Sequence, residues 1–158
     1  MSAKGFNIPQ EGHVVNIIPP WGSDAATKNS DVWSMEGYSH CDIIVQMGST
    51  AGAASFILYE CDNFTPSTAT AIAATIYKEE TDAGDTLGAA TALAATGVAT
   101  STADNIMYVI SVDAQQLTDG YPNLQLRFAD LDNTTYLSAV AILSGARYAS
   151  PESATAIA

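Results

Sequence analysis

The sequence predicts an all-β domain, an antiparallel sandwich or barrel of about eight strands. Three observations carry this. Residues 106–128, IMYVISVDAQQLTDGYPNLQLRF, read as strand, polar connection, strand. Charged residues make up only 14% of the chain, well under the roughly 25% of an ordinary globular protein. Long exposed helices usually carry many Lys and Glu, so this composition disfavours a helical bundle. Finally, runs of apolar alternation are separated by turn formers at roughly regular spacing. No long amphipathic helix alternates with them, which speaks against a parallel α/β sheet.

Taken in order, residues 1–12 read as an N-terminal arm, with Gly5, Pro9 and Gly12 in mixed polarity. His13 to Ile18 is a first strand, stopped by Pro19-Pro20. Trp21 to Ser30 is a loop, and Asp31 to Met35 a short strand. Ser39 to Met47 is a clean strand: Cys41, Ile43, Val45 and Met47 share one face, His40, Asp42, Ile44 and Gln46 the other. A turn cluster, Gly48 to Gly52, then leads into the strand Ala54 to Cys61, so these two strands are expected to pair as a hairpin.

Asp62 to Thr68 is a loop. Ala73 and Ala74 permit helix, but Ile72, Thr75, Ile76 and Tyr77 prefer strand, giving a loop or short helical turn and then a strand over about Ile72 to Glu79. Glu80 to Asp104, rich in Ala, Thr and Gly, reads as a surface excursion with one weak strand near Gly97 to Thr102. In the 106–128 unit, Ile106, Tyr108, Ile110 and Val112 fall on one face, and Met107 and Val109 make the other face apolar too. The cluster Asp119-Gly120-Tyr121-Pro122-Asn123 turns the chain. Leu124, Leu126 and Phe128 then alternate with Gln125 and Arg127. Leu137 to Tyr148 is a final strand, and residues 150–158 read as a C-terminal arm. The domain therefore spans residues 13–149, flanked by flexible arms. At 158 residues a single domain buries about 68–70% of its unfolded surface, enough to fold without a metal or a disulfide.

The net charge is −12, and the only cations are Lys4, Lys28, Lys78, Arg127 and Arg147. Phosphate backbones need clustered cations, so nucleic acid is not an expected partner. Anionic membrane surfaces are disfavoured for the same reason. The acidity instead keeps identical copies soluble and apart until assembly. The first residues, MSAKGFNIPQEG, hold no apolar segment of signal-peptide length. No stretch approaches the 18 or more apolar residues of a spanning helix. The expectation is a soluble protein made in a cytoplasm.

Candidate chemistry is sparse. Cys41 and Cys61, each in an apolar-alternating run, are expected to be buried thiols; a bridge is the less favoured alternative. His40 and Asp42 share a strand face while Cys41 does not, so no nucleophile, base and acid converge there. His40 is expected to be a surface or interface histidine. Asp130-Leu131-Asp132 opens like a calcium loop, but Thr135 and Ala141 stand where Gly and Glu are required. The acidic run Glu79-Glu80-Thr81-Asp82, with Asp85, suits a solvated loop better than a calcium site. No Cys/His spacing fits zinc. Trp21 and Trp33 offer a sugar-stacking platform, though core packing is the commoner fate of such aromatics. No catalytic residue, cofactor or metal is expected.

The order DVWSMEGYSHCDIIVQMGSTAGAASFILYECDNF, YKEETDAGDTLG, MYVISVDAQQLTDGYPNLQLRF and TTYLSAVAILSGARYASPESATAIA resembles a group of small virion structural proteins of tailed bacteriophages and prophages, some called head decoration, cement or minor capsid proteins. The likeness spans about residues 31–151 and lies in strand pattern. It implies a jelly-roll-like sandwich that oligomerises, often as a trimer, on the capsid surface. The partners it implies are the major capsid protein and further copies of the chain. The group has no residue-level motif, so no site residue follows from it. The residues themselves point to Met107 and Val109 as interface positions. A strand apolar on both faces expects burial on both, by the second sheet or by a neighbouring copy. The runner-up is a carbohydrate-binding or host-receptor-binding module of a virion, with Trp21 or Trp33 against the sugar.

Overall fold

The computed structural model describes residues 5, 7–22, 27–48, 54–80, 86–100, 105–131 and 135–147. Its strands are β1 (Gly12–Gly22), β2 (Lys28–Asn29), β3 (Trp33–Ser34), β4 (Tyr38–Met47), β5 (Ser55–Cys61), β6 (Ala69–Ala71), β7 (Ala74–Lys78), β8 (Thr91–Leu93), β9 (Val98–Ala99), β10 (Ile106–Asp113), β11 (Asn123–Ala129) and β12 (Tyr136–Ala146). They form two antiparallel sheets. The first runs β1-β12-β4-β10-β7-β8 and the second β2-β11-β5-β6, with β3 also on β11 and β9 on β5.

The pairing follows from a nested ribbon. β1 pairs with β12, β2 and β3 with β11, β4 with β10, and β5 with β6. Rolling that ribbon sets β12 beside β4 and β11 beside β5. This is the jelly-roll arrangement of two packed sheets. β7 and β8 extend the first sheet beyond β10.

The period-two pattern fills the space between the sheets. Cys41, Ile43, Val45 and Met47 of β4 face inward with Ile106, Tyr108, Ile110 and Val112 of β10 and Ala139, Ala141 and Leu143 of β12. The second sheet meets them with Phe56, Leu58, Leu124, Leu126 and Phe128. Phe56 sits edge-on to Tyr108, ring centroids 5.3 Å apart at 75°, and 5.6 Å from Phe128. Offset and edge-on contacts of this kind add about 0.5–1.5 kcal/mol per pair beyond area burial. Trp33 is fully buried, so it is a core residue and cannot stack on a sugar.

Several expectations are corrected. Pro19 and Pro20 do not stop β1. They lie opposite Ser138 alone, between the pairs Ile18–Ala139 and Trp21–Leu137, and so form a bulge. β1 is an edge strand, where proline costs no ladder hydrogen bond. A second register shift between Asn16 and Ile18 lets the neighbours Ile17 and Ile18 both reach the core. β4 and β5 do not form a hairpin: β4 lies in the first sheet, with both edges taken by β10 and β12, and β5 lies in the second. The strand expected over Ile72 to Glu79 is found as β7, but the stretch before it, expected as a loop or short helical turn, holds the extra strand β6. β6 belongs to the second sheet and β7 to the first, and Ile72-Ala73 makes the step between them. The excursion before β10 holds β8 as well as β9.

At the N-terminus, Ile8–Glu11 forms one helical turn with Pro9 in its first positions, and β1 begins at Gly12. Residues 1–4 and 150–158 of the two expected arms lie outside the described residues. The connection from β10 to β11 crosses between sheets through a 3-10 turn, Ala114–Gln116. Buried Glu60 anchors it by accepting the Thr118 N–H at 2.7 Å.

Candidate functional site

The outward face of the first sheet is set by the register of five strands. One row crosses Asn16, Val140, Ile44, Val109 and Tyr77. The next crosses Val14, Ile142, Asp42, Ser111 and Thr75. Beyond these lie Ser138–Gln46–Met107 on one side and Ser144–His40–Asp113 on the other. Val140, Ile44, Val109, Tyr77, Ile142 and Met107 are only half-buried, and Val14 is 49% exposed. Met107 and Val109 therefore point away from the second sheet, which does not cover them. At about 4.8 Å between strands and about 3.4 Å per residue, the face measures about 20 by about 27 Å. Within it the apolar row Val140–Ile44–Val109–Tyr77 spans about 14 Å at that strand spacing, bordered by polar Asp42, Ser111, Gln46 and Ser138.

The outward face of the second sheet differs. Arg127 lies over the Tyr59 ring at 4.3 Å, and its Nε donates to Gln125 Oε1 at 2.7 Å. Gly97 packs against Ile57, where a Cβ would come within 2.6 Å of the isoleucine side chain. Those apolar side chains have partners within the chain.

His40 closes one end of the first sheet's face. Its Nδ1 is 2.7 Å from Asp113 Oδ1 and its Nε2 is 3.1 Å from Asp42 Oδ1. Burial by itself would lower the imidazole pKa. The hydrogen bonds and fields of Asp113 and Asp42 together outweigh it, so the value is raised above 6.5. Ser111 Oγ donates to Asp42 Oδ1, not to His40. The cluster therefore runs serine, aspartate, histidine, aspartate. The hydroxyl lacks the imidazole contact that a nucleophile needs. His40 and Asp42 share the face as the alternation required. Asp113 and Ser111 join them only through the β4–β10 register, a signal absent from local sequence.

Cys41 and Cys61 are free and buried. Burial pushes the Cys41 thiol up to about 12. Among the described residues no three His, Cys, Asp or Glu side chains are placed to hold a metal, and no helix is long and apolar enough to cross a membrane. Asp82 and Asp85 of the acidic run lie outside the described residues.

At the opposite end of the face, a groove of about 600 Å³ is lined by Trp21, Gln46, Glu79, Asn105, Met107 and Tyr136 among others. Lys28 Nζ stands 5.5 Å from the Trp21 ring centroid. Tyr136 is 62% exposed. It faces Gly22 across the β1–β12 ladder, and Gly48 N–H donates to its carbonyl at 2.7 Å. A Cβ at Gly22 would lie 3.0 Å from the Tyr136 ring, and one at Gly48 would lie 3.0 Å from Tyr136 Cβ. Two glycines thus leave the slot in which this exposed ring stands. Sequence reading singled out Trp21 but not Tyr136, because the glycines meet it only through strand pairing.

No family model matches the chain, and no curated protein matches it. Among solved structures, the chain is similar to one titled "Crystal structure of SPBc2 prophage-derived protein YomS", at 10% identity and a TM-score of 0.48, over 85% of this chain and 94% of that one.

Proposed function

We propose that the protein is a non-enzymatic decoration, or cement, component of a tailed-bacteriophage head. In this reading it self-associates, as a trimer, through the outward face of the first sheet, and binds the major capsid protein to stabilise the shell. It is made in the host cytoplasm and resides on the virion surface. The observation that carries this reading is the apolar row Val140–Ile44–Val109–Tyr77, which the described residues leave only half-buried. A jelly-roll sandwich that exposes such a row on one sheet, and closes the other outward face with Arg127 and Gln125, is built to meet a second copy. The resemblance in strand order supports the same reading, as does the Ser111 hydroxyl's bond to Asp42 in place of His40.

The experiment is co-sedimentation with empty heads of the phage whose genome encodes the protein, prepared from a mutant lacking it. The reading expects saturable binding and heads that resist heat or chelation longer once coated. Heads that neither retain the protein nor gain stability would overturn it.

A further inference from the structure

We propose that the groove beneath Tyr136 is a binding site for a neutral oligosaccharide. Its volume of about 600 Å³ lies within the roughly 300–1,000 Å³ of small-ligand sites. Its wall combines two kinds of group that sugar recognition requires. Apolar C–H faces of a pyranose pack on aromatic rings, and Tyr136 and Trp21 provide them. Hydroxyls need fixed donors and acceptors, and Gln46, Ser138, Asn105 and Glu79 provide these.

The groups are held in place. Tyr136 stands in the slot left by Gly22 and Gly48, so little rotamer entropy remains to be lost on binding. Glu79 is fixed by the Met107 N–H, which donates to its Oε2 at 2.7 Å, while the Glu79 N–H donates to the Met107 carbonyl at 2.9 Å. Oε1 stays available to accept a hydroxyl. Gln46 Oε1 accepts from Ser138 Oγ at 3.3 Å, which leaves the amide N–H donors for a ligand. Charge narrows the class further. Glu79 is the one charged side chain among the described lining residues, and the Lys28 ammonium over Trp21 offsets it, so the groove favours no strongly charged ligand and suits an uncharged polyhydroxylated one.

The site borders the row proposed for self-association and shares Met107 with that face. The groove lies along the Ser138–Gln46–Met107 row, one row away from Val109. The test is a printed array of neutral glucan, galactan, mannan and N-acetylglucosamine oligomers, followed by titration of the strongest class. A proline-rich peptide serves as control. Wild type should bind at least one class. Tyr136→Ala should bind about tenfold or more weakly with an unchanged melting temperature, since the ring is exposed. Gln46→Ala should also weaken binding. Val109→Asp should bind as wild type does, whatever its oligomeric state. Retention of no printed glycan, equal affinity of wild type and Tyr136→Ala, or binding of the peptide alone would overturn the proposal.

Discussion

His40 Nδ1 stands 2.7 Å from Asp113 Oδ1, across the seam between β4 and β10. With Asp42 on the other ring nitrogen, the folded protein holds the imidazolium better than water does, and its pKa lies above 6.5. Because the folded value is raised, the stabilisation is fully present below 6.5 and is lost as pH rises through the folded value. Thermal unfolding at about pH 6 and about pH 8 should show wild type losing more stability than His40→Gln over that interval. A proton titration of the His40 ring by NMR should fall toward the ordinary value in Asp113→Asn. Equal pH dependence of wild type and His40→Gln would contradict the pairing.

Phe56 links the two sheets by touching Tyr108 on one side and Phe128 on the other. It is fully buried, so truncation leaves a cavity that rigid β-sheets cannot close. Phe56→Ala should cost about 3–5 kcal/mol, read as a lower urea midpoint with an unchanged slope. A loss under about 1 kcal/mol would mean that the sheets do not pack around this ring.

Cys41 combines full burial with a thiol pushed up to about 12. Only thiolate reacts with aromatic disulfide reagents. Native protein at neutral pH should therefore show no Cys41 labelling over hours, while unfolding in urea should expose both thiols. Rapid labelling of Cys41 without loss of structure would contradict the inward direction of β4's odd-numbered side chains.

Much of the fold was legible because burial in a sandwich repeats every second residue. Ile106, Tyr108, Ile110 and Val112, and then Leu124, Leu126 and Phe128, face the core as their alternation requires. What the pattern cannot carry is which sheet a strand joins. β4 and β5 read as neighbours in sequence but lie in different sheets, because β10 and β12 fill both edges of β4. Pro19-Pro20 read as a stop and proved to be a bulge, since only an edge strand can hold two prolines. The candidate site was half legible for the same reason. Met107 and Val109 declare themselves by apolar alternation. Tyr136 with Gly22, and His40 with Asp113, are meetings across strands that lie 114 and 73 positions apart in sequence.

The central claim is that the row through Val109 meets another copy of the chain. Light scattering after size exclusion tests it most directly. Wild type should elute at three times the 16.4 kDa protomer mass, and Val109→Asp should elute as a folded monomer with an unchanged far-ultraviolet spectrum. Wild type that stays monomeric at all concentrations, or Val109→Asp that keeps the wild-type mass, would contradict it.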